Sequence, residues 1–352
     1  MLSRFSSLTV CLDMYGCPNR CRHCWLGHAP NGDLCPDDLV SVAEAFRPYT
    51  ERLTVYDWYR EPDFRDNYKD LWNLCDTLSD TPCKHFELLS VPRAVRDPDY
   101  LPWLLERSVR YAQLTLFGGR EMTDRYTGRP HAYDDILHSA ELLLENGIAP
   151  RFQVFVNREN LRDLGAVETL IRKRDYAARC KTIGADFSVF VHQGSCDGAN
   201  EALYGIRITD EDLARIPPFL AEHTLAYFGK TSLSDVFGQP ESVWYRELSE
   251  DTGTQDPVSD TPVFYVNSRF DVYPNISAPE PIWRLGNLRS DGAAAILDAY
   301  RSNRTPGQYT LAAVPRNQLV RTCGTPDSHR LFTRGDCIGY YVNRFARTLI
   351  NA

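Results

Sequence analysis

Cys17, Cys21 and Cys24 lie in the stretch CLDMYGCPNRCRHCWLG, residues 11–27, with three and then two residues between them. Three thiolates on one loop can wrap a single metal cluster. Three ligands on a 4Fe–4S cluster leave one iron open, whereas the four-cysteine sites of electron-transfer ferredoxins leave none. A second reading of the same residues is zinc. His28, four residues beyond Cys24, completes a Cys3His tetrahedron. The context favours the cluster, because a structural zinc loop has no reason to follow the first strand of a β/α array. The eleven cysteines of the chain are odd in number and unevenly spaced, which argues for thiols and metal ligands in a reducing compartment rather than a disulfide framework.

The elements that must hold this loop follow from hydrophobic periodicity. Short apolar runs, read as strands, fall at 8–14, 52–58, 85–91, 111–117, 149–156 and 185–193. Helical patterns separate them at 36–46, 68–78, 100–106, 132–147 and 161–175, with another at 209–223; Gly147 ends one helix and Asn160 caps the next. Strands alternating with helices of this length predict a parallel sheet. In a parallel barrel the chemistry sits at the C-terminal ends of the strands. After about residue 225 the pattern changes to a hairpin (262–276), a turn feeding a helix (283–302) and a tail carrying Cys323 and Cys337. The division expected is a barrel over 1–225 and a smaller region over 226–352, with the polar stretch 250–261 as a linker.

The bulk numbers narrow the class. The 352 residues are 43% hydrophobic, 24% charged and 12% aromatic, with a net charge of −8 and no Lys/Arg-rich run. Nothing resembles a disordered composition, a nucleic-acid-binding surface, a signal peptide or a membrane span. A cytoplasmic protein with no nucleic-acid or membrane partner is expected.

With the three cysteines after the first strand of a partial (β/α)6 barrel, the sequence resembles the radical S-adenosylmethionine (radical SAM) superfamily. That family usually has an aromatic residue before the third cysteine; here it is His23, and Trp25 follows. After the second strand the family carries a Gly-Gly-Glu-Pro-like segment that binds the methionine amino group. Tyr59-Arg60-Glu61-Pro62 stands there, so the resemblance gives Glu61 that role, and a carboxylate is a suitable acceptor for an ammonium. Residues 113–148 resemble the fourth strand and helix of the subgroup with a SPASM or twitch extension. Arg125 and Arg129 both stand where a fork can hold the cofactor carboxylate, and the sequence does not choose between them. Thr115 is the ribose contact the resemblance implies. Asn157 and Arg158 end the fifth strand where the family contacts adenosine. The hairpin and Leu285-Gly286-Asn287 also match that extension, but Asn275 stands where its cysteine belongs. Cys323 and Cys337 cannot supply four ligands, so no auxiliary cluster is expected and both are read as buried thiols.

The resemblance implies one 4Fe–4S cluster and S-adenosylmethionine as cofactors. An external one-electron reductant of flavodoxin or ferredoxin type is implied too, with a 5′-deoxyadenosyl radical that abstracts hydrogen from substrate. Without a second cluster to accept an electron, redox-neutral outcomes are the simplest: epimerisation, elimination or fragmentation. Cys196, in HQGSCDGAN beyond the sixth strand, is read as a hydrogen donor to a substrate radical, with His192 as acid/base or substrate contact beside Gln193 and Asp197. Tyr56, Asp57, Trp58 and Tyr59 offer aromatic faces, read equally as ring stackers or core. Cys11, Cys35, Cys75, Cys83 and Cys180 are read as packing residues. The chain starts at the barrel, which favours a small polar metabolite (sugar, aminocyclitol or nucleoside). The alternatives are a ribosomally made peptide and, from another class, a zinc-stabilised ligand-binding barrel.

Overall fold

The computed structural model describes residues 4–13, 17–26, 35–56, 61, 63–274 and 278–350. Its strands are β1 (Leu8–Leu12), β2 (Leu53–Tyr56), β3 (Tyr111–Leu116), β4 (Ala149–Phe155), β5 (Ser188–His192), β6 (Gln239–Pro240), β7 (Val263–Val266), β8 (Asp271–Pro274), β9 (Gly286–Asn287) and β10 (Leu331–Phe332). β1 pairs with β2 in parallel, and β3, β4 and β5 form a second parallel set. Helices such as Pro36–Phe46, Tyr68–Leu78, Ala132–Glu145 and Pro218–Phe228 cover one face of this curved array. The fold is α/β, a partial barrel, as the periodicity predicts.

The side-chain period of two sorts each strand. On β3, Ala112, Leu114 and Leu116 are buried against the helices, while Gln113 and Thr115 turn to the other face. On β4, Phe152 and Val154 go to the helices and Arg151 and Gln153 to the opposite face, where the Gln113 side-chain amide donates to that of Gln153 at 2.6 Å. The barrel lumen is therefore polar along these two strands.

The segment 85–91 is expected as a strand and is not one. It runs between β2 and β3 with a single ladder-like bond, Gln113 N–H to the Glu87 carbonyl at 2.8 Å. Both ends are committed elsewhere. His85 binds the Asp63 carboxylate at 2.7 Å, and Ser90 caps the helix Val91–Arg96 by accepting from the Arg93 N–H. Asn160 also differs from expectation. It makes no side-chain cap. Its amide nitrogen donates to the carbonyls of Phe117 and Phe155, tying the ends of β3 and β4 together. Cys35 is exposed, not packed: its N–H bonds to Asp38 in a capping box that starts the helix Pro36–Phe46.

The hairpin β7–β8 is present and antiparallel, and β7 pairs in parallel with the outer edge of β1. Strands far apart in sequence thus stand side by side: β1 lies between β2 and β7. Beyond the hairpin, the helices Pro306–Ala313, Arg316–Cys323 and Arg334–Ile350 pack on one another around an apolar cluster that contains Cys196, Trp283, Cys323, Cys337 and Tyr341. Among the described residues, no helix is long and apolar enough to cross a membrane.

Candidate cofactor site

The three cysteines sit at the C-terminal end of β1, all half-buried. Their loop is laid along the end of the helix Arg120–Thr127. Arg20 N–H donates to the Thr127 carbonyl at 2.7 Å and Arg22 N–H to that of Tyr126 at 2.9 Å. Gly128 closes that helix at φ +64°, and a Cβ there would meet the Arg20 Cβ at 2.9 Å. On its other side the loop carries residues 195–199. Ala199 N–H donates to the Cys24 carbonyl at 2.9 Å, and Gly198 (φ +54°) presses so close that a Cβ would come within 2.0 Å of the Trp25 carbonyl oxygen.

Beside the loop is a cavity of about 190 Å³, lined among others by Asn19, Cys21, His23, Glu61, Thr115 and Arg129. Burial pushes the Cys21 thiol well above its ordinary value, and Cys17, Cys24 and Glu61 push it further in the same direction, against Arg129. Three mutually repelling thiols need a positive charge to become thiolates together. Glu61 has Oε2 3.9 Å from the Cys17 sulfur, while its buried Oε1 has no hydrogen-bond partner. Burial raises its pKa to about 7, against the Ser90 hydroxyl, Arg129 and the Val91 N–H. An unpartnered buried carboxylate oxygen costs free energy that a bound cation would recover. The donor set of three cysteines with a buried acceptor beside them fits a cluster with one open iron next to an ammonium group. Among the described residues no three His, Cys, Asp or Glu side chains converge as one small ion requires; a multi-iron cluster spreads its ligands wider. His28, the fourth ligand in the zinc reading, lies outside the described residues, as do Asp57, Trp58, Tyr59, Arg60, Pro62 and Asn275.

The remaining expected residues divide. Thr115 and Arg129 line the cavity. Arg129 Nε donates to Asn19 Oδ1 at 2.9 Å, and its guanidinium pairs with Asp135. Arg125 is half exposed and bonds Glu159 at 2.7 Å on the outer side of the same helix end. Asn157 is buried, with Nδ2 donating to the Tyr126 hydroxyl at 2.7 Å, and Arg158 pairs with Asp212 at 3.3 Å. Those three are not brought to the cavity wall. His192, the last residue of β5, is half-buried and its charged form is disfavoured by desolvation, with Asp336 opposing and Arg207 adding to the effect. It lies close enough to His23 to depress that residue's pKa as well. Tyr56 packs on Phe86 with ring centroids 5.1 Å apart.

Cys196 is buried and lines a second cavity of about 140 Å³ between the loop after β5 and the helix Arg334–Ile350, with Asp197, Trp283, Asp336, Tyr340 and Asn343 on its walls. Burial, the largest cause, pushes its thiol up to about 12, so the S–H form persists at neutral pH. Two anchors tie the loop before it to the C-terminal region. Gln193 Nε2 donates to the Leu331 carbonyl at 3.0 Å, and the buried Arg207 donates to the Leu331 and Gly194 carbonyls.

Sequence reading missed part of this wall. His23 lies edge-on between Phe117 and Phe155, with centroids 4.7 and 4.6 Å away, and its buried Nδ1 has no partner. Its departure from the usual aromatic was the available signal. Gln113 is two residues before Thr115 on the same strand face, so the strand period alone could have found it.

Residues 12–170 match the sequence model of the radical SAM superfamily. Among curated proteins none matches the chain. The chain is similar in structure to native anSMEcpe with bound AdoMet and a peptide: 15% identity, 98% of each chain covered, TM-score 0.53. A structure of native anSMEcpe with bound AdoMet gives 14% identity, 98% coverage of both chains and a TM-score of 0.52. Streptococcus suis SuiB bound to S-adenosylmethionine is 13% identical, over 95% of this chain and 75% of that one, with a TM-score of 0.47. At such identities the first two likenesses concern the fold.

Proposed function

This chain carries a radical SAM domain in residues 12–170 and is an enzyme of that class; on that premise we propose that it takes a hydrogen atom from a small polar metabolite, of sugar, aminocyclitol or nucleoside type, in a redox-neutral reaction. The observation that carries the reading is the cavity that gathers Cys21, the unpartnered Glu61 oxygen, Thr115 and Arg129 beside the cysteine loop. When bound, the 4Fe–4S cluster and S-adenosylmethionine supply a carbon-centred radical by one-electron cleavage, with the electron coming from an external flavodoxin- or ferredoxin-type donor.

The chain's own residues do the rest. Cys17, Cys21 and Cys24 hold the cluster as thiolates. Glu61 accepts from the methionine ammonium and the Arg129 guanidinium donates to its carboxylate, a charge-assisted pair of contacts at opposite ends of one zwitterion. Thr115 takes the ribose. Cys196 keeps its proton by burial and gives a hydrogen atom to the substrate radical, leaving a thiyl that one electron from the same donor and one proton restore. His192 is neutral and serves as a hydrogen-bonding contact. The 140 Å³ cavity beside Cys196 supports a small substrate. Residues 226–352 are read as a SPASM/twitch-like unit that closes the open side of the barrel.

The test is anaerobic reconstitution with iron and zinc analysis. It is followed by dithionite-driven formation of 5′-deoxyadenosine from S-adenosylmethionine, with pools of aminocyclitols, sugars, nucleosides or cysteine- and serine-containing peptides. About four irons per chain, no zinc and stimulation by a small-molecule pool support the reading. Stimulation by peptides alone transfers the substrate to that class, and zinc without iron overturns the enzyme.

A further inference from the structure

We infer that Asp63 and Tyr100 are positioning residues for Glu61, and that the hydrogen-bond circuit that anchors the Asp63 turn presents the free carboxylate oxygen of Glu61 to the cofactor cavity. The inference rests on reading Glu61 as the acceptor of the cofactor ammonium. Asp63 stands two residues beyond Glu61, and its side chain is wholly buried. Its carboxylate accepts three donors: Trp72 Nε1 at 2.6 Å on Oδ1, and His85 Nε2 at 2.7 Å and the Tyr100 hydroxyl at 2.5 Å on Oδ2. Its carbonyl accepts from Arg93 Nε at 2.6 Å, and the same guanidinium reaches the Phe64 carbonyl at 2.7 Å.

The circuit runs on through one tyrosine. The Tyr100 hydroxyl donates to Asp63 and accepts the Ser90 N–H at 3.1 Å. Val91 lines the same cavity wall as Glu61, and the Ser90 hydroxyl and Val91 N–H favour the charged form of its carboxylate. The segment bearing Glu61 is thereby fixed at two points, Asp63 below it and Ser90 beside it, by a side chain from the helix Tyr100–Glu106.

A second observation supports the assignment. Asp63 has φ +57°, a left-handed conformation that an L residue other than glycine adopts at a cost. Such strain persists where the surroundings over-determine it, and it gathers at functional sites. A turn that served only to connect β2 to the next helix would be relieved by a glycine here. This one holds a residue anchored by four groups, three on its carboxylate and one on its carbonyl.

The experiment is equilibrium binding of S-adenosylmethionine to the reconstituted, unreduced protein by calorimetry, with iron content measured on each sample. Tyr100→Phe removes the hydroxyl and keeps the ring; it is expected to weaken binding about tenfold, the equivalent of one hydrogen bond, at unchanged iron content. Tyr176→Phe removes another fully buried tyrosine hydroxyl, one that bonds Glu141 outside the circuit, and is expected to leave the affinity within about twofold. If Tyr100→Phe fails to fold, Ser90→Ala tests the same circuit at its other end with the same expected loss. Glu61→Gln separates the two levels. Wild-type affinity in Tyr100→Phe, or in Ser90→Ala where it stands in, together with weak binding in Glu61→Gln overturns the positioning inference and leaves the reading of Glu61 standing. Wild-type affinity in Glu61→Gln overturns both. Equal weakening by Tyr100→Phe and Tyr176→Phe shows a loss of stability only and overturns the inference.

Discussion

Arg129 reaches across from the end of the helix Arg120–Thr127 to the cysteine loop, its Nε 2.9 Å from the side-chain oxygen of Asn19. The same guanidinium pairs with Asp135 at the start of the helix Ala132–Glu145. One arginine is thus held between the loop that carries the cysteines and a barrel helix, with its remaining donor capacity facing the cavity that also contains Glu61. Arg125, one turn earlier, bonds Glu159 on the outside.

This separates two residues that spacing leaves equivalent. Arg129→Gln is expected to weaken S-adenosylmethionine binding about tenfold to a hundredfold, the range for one charge-assisted hydrogen bond. Arg125→Gln is expected to stay within about twofold, as an exposed pair contributes little. Calorimetric titration of the two reconstituted variants checks the assignment, and the opposite ranking returns it to Arg125.

Gly198→Ala is expected to disturb the cysteine loop from a distance in sequence. Its Cβ would fall 2.0 Å from the Trp25 carbonyl oxygen, at a φ of +54° that disfavours any side chain. The backbone strain alone costs about 1–3 kcal/mol. A lower melting temperature and reduced iron uptake on reconstitution are the readouts. Unchanged values for both would mean the loop after β5 does not brace the cysteines.

Alkylation should rank the cysteines by environment. Cys35 is exposed, while Cys196 and Cys337 are buried with thiols pushed up to about 12, in each case chiefly by desolvation. The thiolate is the nucleophile, so at pH 8 iodoacetamide is expected to label Cys35 in the folded chain and to reach the other two only after denaturation. Peptide mass spectrometry over time gives the order. Early labelling of Cys196 would contradict its enclosed, protonated state.

Acid should destabilise the cofactor-free chain through two half-buried imidazoles. Burial lowers His23 to about 3, with His192 adding to the effect, and lowers His192 below its ordinary value. The neutral form is the one the fold accommodates. Above the unfolded value of about 6.5 neither state gains a proton. Below it the unfolded chain binds protons that the folded chain does not, so stability falls as pH drops from about 6.5 toward 4. The melting temperature is expected to decline over that window, with a shallower slope in His192→Gln. An identical slope would show that His192 does not contribute.

Much of the barrel is legible before folding. The runs at 8–14, 111–117 and 149–156 become strands because their apolar residues alternate or fill a buried face, and the cysteine spacing needs no tertiary information. The segment 85–91 has the same composition but forms no ladder, because His85 and Ser90 are drawn to Asp63 and to the helix Val91–Arg96. A propensity pattern cannot register such claims on a segment's ends.

By itself the sequence determined the spacing of the three cysteines, the presence of a carboxylate at 61 and the alternation of strands with helices, since these depend on residue type, local spacing and periodicity. Tertiary structure decided which of two arginines faces the cavity, that Asn157 bonds Tyr126, that Cys196 is enclosed by the helix Arg334–Ile350, and that β7 pairs with β1. Each of these depends on contacts between residues distant along the chain. Their free energy comes from desolvation and hydrogen bonding at positions that only the assembled fold brings together.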